Sequence, residues 1–439
     1  MNERAPCDHS VVWIPIARRC FKLTTQVKRD EKWLWIFVPI NAAIGGFSTL
    51  LPLYVISLGG TVIDVGNIVS AYSLALIPSS ILWGVAVDRR PKRKPFLIYG
   101  YLGITILLIA GLFSTEISML SLVYVCYAVA STAAAPAVSL LLIESSPKRE
   151  WSMVFAKYSA LTLVGMVVGV IPGMFWTRFL PLRTYFLLCA VFAGLSVALG
   201  AKYLAEPEFA LERKAVALTQ EGLVTKLRTV SMIFITIPSL DDIKSFARMM
   251  RSIFTRHLPL LYMSFFFFFM AANLFFTSYI PFLKSREMDD SGVFTIFSTL
   301  YILQAAVYPI TGRACRRFGE GRVALSAVVL RIGGFLAMVA TVLLIVHNYT
   351  LLILSVALIA TIGTGFALYN TSSSVLLFRN LVAGKQGELL GVYSALTGIA
   401  AFAGSIMSGY LSYHFGYAAT FLAAAFLLVG CAATLKSAI

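Results

Sequence analysis

Few side chains in this chain could do chemistry, and those few stand at the ends of long apolar runs. Asp64 opens one run, Glu144 closes another and Glu388 opens a third. A carboxylate that carries protons must be desolvated and must titrate near neutral pH. Asp64 is the best placed of the three for that role, and capping a helix beside Thr61 is its competing use. The other charged feature is Asp88-Arg89-Arg90-Pro91-Lys92-Arg93-Lys94, one acid among five cations. Asp88 should stay ionised there and seek a cationic partner. Glu144 and Arg149 form a second small cluster. These groups suit charge pairing and proton carriage, not bond making. Paired acids buried within an apolar run, a histidine cluster or H-E-x-x-H would mark a membrane-embedded enzyme, and the sequence has none of them. The six cysteines are scattered without a C-x-x-C and the four histidines lack ligand spacing, so no disulfide, metal site or cofactor is expected. A nucleotide-binding motif is also missing, which argues against ATP-driven work.

Composition says what must position these groups. The 439 residues are 59% hydrophobic and 13% charged, with a mean hydropathy of +0.84. A soluble domain carries roughly 25% charged residues, so this is a polytopic membrane protein. Twelve apolar runs are long enough to span, at about 33–57, 63–87, 95–114, 117–143, 153–177, 183–204, 258–283, 292–313, 323–346, 350–377, 388–412 and 415–435. They lack the alternation of a membrane barrel, so they are helices. The net charge of +16 could suggest nucleic acid, but nearly all of it lies in loops on one side of these runs. That is the positive-inside bias, which places the loops and both termini in the cytoplasm of a multi-pass cell-membrane protein. It excludes a nucleic-acid partner and favours contact with anionic inner-leaflet lipids. Residues 1–32 read as a basic cytoplasmic arm without a cleavable signal peptide. The hydrophilic stretch 205–257 joins spans six and seven. Its end, about 240–256, has an apolar face and many charges, as expected of a helix lying on the inner membrane surface.

The two halves repeat. Tyr158-Ser-Ala-Leu-Thr162 recurs letter for letter as Tyr393-Ser-Ala-Leu-Thr397, Pro52 matches Pro281, and Gly84 matches Gly312, all at similar separations. This predicts an all-α fold of twelve transmembrane helices in two pseudo-symmetric six-helix bundles, 33–204 and 258–439, related by an axis along the membrane normal.

With these residues the chain resembles the major facilitator superfamily of secondary transporters. That family's loop between spans two and three reads G-x-x-x-D-[RK]-x-G-[RK]-[RK]. Gly84, Asp88, Arg89, Lys92 and Arg93 match it, and Pro91 stands for the second glycine. In the second half Gly312, Arg317 and Gly319 match, with Arg316 in the aspartate position. The resemblance implies a monomeric secondary active or facilitative transporter that moves a small organic solute by alternating access. It also implies that Asp88 pairs with Arg149 when the inner side is closed, with Glu144 beside them. A sensor or scaffold that keeps the transporter fold without transport is the alternative. Gly165-x-x-x-Gly169-x-x-Pro172-Gly173 partly resembles an exporter motif and tilts the reading slightly toward export, although close helix packing is its simpler use.

The same resemblance places spans one, four, seven and ten around a central cavity, with two, five, eight and eleven beside them. Polar residues at mid-span in those helices are the substrate-cavity candidates: Asn41, Tyr72, Tyr124, Tyr127, Asn273, Tyr301, Gln304 and Asn370. An amide in hydrocarbon is costly unless paired, so it faces protein or a wet cavity. Charge is scarce at depth, which argues against a highly charged substrate. Arg331, in span nine, is expected to reach toward the inner surface rather than to bind.

Overall fold

The computed structural model describes residues 31–88, 92–144, 151–204, 258–344, 348–380 and 386–439. The basic N-terminal arm, Arg89, Arg149 and the expected surface helix near 240–256 lie outside them. After a short 3-10 turn, Glu31–Ile36, come α1 (Phe37–Ser57), α2 (Val62–Asp88), α3 (Lys94–Leu112), α4 (Ile117–Glu144), α5 (Trp151–Phe179) and α6 (Tyr185–Tyr203). The second half continues with α7 (Leu258–Ser285), α8 (Asp290–Phe318), α9 (Glu320–Leu343), α10 (Asn348–Asn380) and one long helical stretch, Gln386–Ala438.

Eleven helices are long and apolar enough to cross a bilayer among the described residues. The last of them runs for 53 residues, close to 80 Å at a rise of about 1.5 Å each, against a hydrocarbon core of about 30 Å. Gly416 divides it. Its φ of 82° and ψ of 166° are not helical and favour a residue without Cβ. The stretch therefore folds as α11 (386–415) and α12 (417–438), which makes twelve spans among the described residues. The first-half helices are apolar on nearly all sides, whereas α8 carries Arg316 and Arg317 in its last turn. Leu343, Ile353 and Phe426 are about 70% exposed, as suits a surface whose solvent is lipid.

The packing repeats between halves. In the first, α1 lies on α5 and α6, α4 on α2 and α3, and α3 on α6. In the second, α7 lies on α11–α12, α10 on α8 and α9, and α9 on α11–α12. Hydrophobic burial cannot hold apolar helices together in lipid, so close approach and hydrogen bonds must. Gly165 and Gly169 lie against the Val38 and Ala42 carbonyls of α1, where any Cβ would strike backbone. The glycine motif of span five thus works here as a packing surface. Between α7, α11 and α12, Ser278, Ser408, Ser412 and Thr420 form a buried hydroxyl chain, with Ser412 Oγ donating to Ser278 Oγ at 2.7 Å.

Two seams join the halves, α2 with α11 and α5 with α8. Both are tight at the end of the molecule that carries Gly59. There Gly66 packs on the Ser405 carbonyl and Gly409, and Gly409 on the Val62 carbonyl. On the other seam, Ser291 Oγ donates to the Met174 carbonyl at 2.7 Å and accepts from Arg178 Nε at 3.2 Å. Gly173 lies against the Phe294 ring, which Tyr185 meets edge-on at 5.1 Å.

Arg331 departs from expectation. It does not extend to either face but is 0% exposed in the middle of the second half. It begins too far along α9 for the side chain to reach water, and aromatic ring faces surround it instead. Its guanidinium carbon lies 4.7 Å from the Phe268 ring, 5.3 Å from Phe335, 5.4 Å from Phe366 and 5.8 Å from Phe276.

Candidate functional site

A cavity of about 610 Å³ lies between the two halves at mid-height. The first half contributes Ser48, Leu51 and Pro52 of α1, Val69 of α2, Tyr124 of α4, and Tyr158 to Met166 of α5. The second contributes Phe269 to Ile280 of α7, Phe297 to Tyr308 of α8, and Phe366 with Asn370 of α10. Among the described residues, no carboxylate, ammonium, guanidinium or imidazole lines it. The wall consists of aromatic rings, aliphatic chains and a few neutral hydrogen-bonding groups, the usual make-up of a small-molecule pocket.

The polar groups are held in distinct ways. Asn273 is half-buried on α7, and its Nδ2 donates to the Phe269 carbonyl of its own helix at 2.9 Å. Asn370 of α10 donates through Nδ2 to Tyr308 Oη of α8 at 3.0 Å. Ser48 Oγ and Tyr301 Oη lie 3.2 Å apart, joining α1 to α8 across the cavity. Gln304 lines the wall with only 7% exposure, and no described side chain or carbonyl hydrogen-bonds its amide. An unpaired amide at a cavity wall is free to meet a ligand.

On the first-half side the wall is an aromatic stack. Tyr72 lies flat on Tyr124, with centroids 4.3 Å apart and planes 16° from parallel. Tyr127 stacks behind at 6.0 Å from Tyr124 and meets Phe47 at 4.9 Å. Tyr124 thus presents a face backed by two further rings.

Five of the eight residues singled out from sequence lie in the cavity wall: Tyr124, Asn273, Tyr301, Gln304 and Asn370. Three lie behind it. Tyr72 and Tyr127 back Tyr124, and Tyr127 is only 4% exposed. Asn41 is 6% exposed and donates to the Phe37 carbonyl at 2.7 Å, with its Cβ against Gly165. Tyr158, Ser159, Thr277 and Tyr308 line the cavity too, and sequence reasoning passed over them. Tyr158 belongs to the repeated pentapeptide, a signal that pointed to it for its repetition and not for its place.

Of the charged-loop residues, Gly84 and Asp88 lie at the end of α2 and Glu144 at the end of α4; their side chains, like Arg89 and Arg149, fall outside what is described. Lys92 is exposed. Arg93 is 2% exposed and donates through Nη1 to the Val87 carbonyl, fastening the α2–α3 connection. In the second half Gly312 has open space beside it, so close approach does not account for it. Arg317 lies over the Phe318 ring at 5.3 Å. Gly319, with φ 84°, ends α8 and begins α9. Asp64 lies away from the cavity. Its Oδ2 accepts from Thr61 N at 2.7 Å and Thr61 Oγ1 at 2.8 Å, a cap on the first turn of α2.

This arrangement of two like halves around a neutral cavity has counterparts. The nucleoside transporter NupG superposes with a TM-score of 0.69 at 15% identity, over 93% of this chain and 98% of that one. A mutant of the peptide transporter POT in complex with alafosfalin gives 0.69 at 15% identity, over 92% and 94%. The human organic anion transporter MFSD10 gives 0.62 at 16% identity, over 93% and 100%. At such identities these likenesses establish the fold. No curated protein sequence matches this one. The family profile described as Major Facilitator Superfamily matches residues 33–405. The chain therefore belongs to the Major Facilitator Superfamily and is a multi-pass membrane transporter, not an enzyme.

Proposed function

We propose that this transporter carries a small organic solute with a substantial apolar or aromatic surface, bound at the seam cavity and released by rocking of the two halves. The observation that carries this reading is the cavity wall. Both halves supply it, so any motion of one against the other changes access to whatever is bound. A volume of about 610 Å³ suits a drug-sized molecule. Tyr124, Phe276 and Tyr301 offer ring faces, while Gln304, Asn273 and Ser48 offer donors and acceptors.

The positive-inside bias puts the Arg89–Lys94 end in the cytoplasm, with both termini, in the cell membrane. Glycine contacts and hydrogen bonds draw the halves together at the opposite, Gly59 end, which favours a state closed to the outside. Asp88 and Arg149 are then the pair that would lock the inner side in the alternate state. The span-five glycines serve packing, so the tilt toward export stays slight. A single chain forms the whole cavity, which supports a monomer in contact with anionic inner-leaflet lipid.

A thermal-shift screen of the purified protein against small aromatic and aliphatic metabolites tests the reading, followed by flux of the stabilising compounds in sealed vesicles. Stabilisation and flux should both fall in Gln304→Ala and Asn273→Ala. Compounds that bind but never cross would favour the sensor or scaffold instead.

A further inference from the structure

The guanidinium of Arg331 has no hydrogen-bond partner at Nε, Nη1 or Nη2. That is the largest unpaired polar group in the described interior. Cys431 and Tyr369 are the ionisable side chains beside it. Both are already engaged with Ser264, at 3.3 and 3.0 Å. Ring faces compensate part of a buried cation's lost hydration, but they satisfy none of its donors. A charge left in that condition is costly, and in membrane proteins such a residue is by default a functional one.

The cage around it is uneven. Phe268 and Phe335 are 0% exposed and close its protein side. Phe276 and Phe366 are half-buried, and both also line the cavity. One layer of rings thus separates five unused N–H donors from the space where a solute would sit. A change in the side-chain torsions of Phe276 or Phe366 would expose the guanidinium to that space.

We propose that Arg331 is the counter-ion for a carboxylate on the transported solute, reached when the Phe276–Phe366 layer parts. A guanidinium presents two parallel N–H groups that match a planar carboxylate, and the pairing is strongest where water is excluded. The solute would then be an aromatic or aliphatic monocarboxylate. Its apolar body contacts the neutral wall, and its single charge enters the ring-lined recess. This rests on the seam cavity being the transport site, and it adds the class of solute to that reading.

The test compares 1-naphthaleneacetate with 1-naphthaleneacetamide, which share a body and differ in charge, by calorimetry on the purified full chain. Wild type should bind the carboxylate at least about tenfold more tightly than the amide, the change expected of one charge-assisted hydrogen bond. In Arg331→Met the ratio should fall to within about twofold while amide binding persists, which also shows that the variant is folded. Arg331→Lys should keep part of the preference. Phe276→Ala, which thins the ring layer, should raise carboxylate affinity more than amide affinity, and it decides the matter if Arg331→Met does not fold. Equal binding, no carboxylate binding in wild type, or a preference that survives Arg331→Met overturns the assignment. Ala272→Trp separates the two readings. If this plug abolishes equal binding of both probes, the cavity stands and the Arg331 role falls. If it changes neither, the cavity reading falls as well.

Discussion

Ser48 on α1 and Tyr301 on α8 face each other across the cavity, hydroxyl to hydroxyl at 3.2 Å. The bond ties the first half to the second in the space a solute must enter, so movement of the halves has to break it. A neutral hydrogen bond is worth about 0.5–1.5 kcal/mol net. Tyr301→Phe should therefore cost no more than about that in stability, measured by denaturant unfolding in detergent. It should also speed thiol labelling of a cysteine placed at Ser159. A far larger loss of stability would make the pair a structural brace and not a latch.

Gly169 and Gly312 make opposite predictions although both belong to motifs visible in the sequence. A Cβ at Gly169 would run into the Ala42 carbonyl, whereas Gly312 has nothing within 4 Å. Gly169→Val should destabilise by at least about 1–3 kcal/mol, the usual range for overpacking. Gly312→Ala should be neutral or slightly stabilising. Equal melting temperatures for the two variants would count against the close α1–α5 packing at Gly169.

Gly409→Val tests the α2–α11 seam. A Cβ there would sit 3.0 Å from the Val62 carbonyl and 3.1 Å from Ile63 Cα, so a branched side chain must push the halves apart. Spin labels at exposed Thr61 and Tyr413 should report a longer distance in the variant than in wild type. An unchanged distance with the fold intact would mean that the seam does not control closure at the Gly59 end.

These cases show what was legible in the sequence. Unbroken apolar runs without alternation dictate spanning helices, and the repeated pentapeptide and paired prolines dictate two like halves. Helix ends were less legible. The eighth span continues to Phe318 because Gly319, not the end of the apolar run, stops it. Which face of each helix turns inward was the hardest to read. Lipid is as apolar as the protein core, so hydrophobic periodicity does not mark a buried side. Asn273 and Gln304 stood out because amides are rare in such helices. Tyr158 and Ser159 did not, since tyrosine and serine are common there. Asn41 has the same chemistry as Asn273, yet it is packed against α5 because Gly165 draws the two helices together. Arg331 was visible as an anomaly, but its phenylalanine cage is assembled from three helices far apart in sequence.

Asp64 makes two hydrogen bonds to Thr61 and lies outside the cavity wall, whose described residues include no acid. Asp64→Asn keeps an oxygen that can accept both bonds and should lower stability by only about 0.3–1 kcal/mol, the worth of a negative charge on the first turn of a helix. Flux in vesicles should be the same with and without an imposed pH gradient, in wild type and in the variant. Gradient-dependent flux abolished by Asp64→Asn would restore Asp64 as a proton site. Gradient dependence that survives the substitution would point to an acid outside the described residues.

Alternating access requires that one cavity, walled by both halves, open by turns to the two sides of the membrane. Gln304 faces that cavity at mid-height and has no protein partner to lose among the described residues. A single cysteine at Gln304, in a background free of other cysteines, can be challenged with a membrane-impermeant thiol reagent. Right-side-out and inside-out vesicles present its two faces separately. Labelling is expected from both sides, slowed from both by a bound solute. Labelling from one side only, unaltered by ligand or by loosening the seam with Gly409→Val, would contradict it.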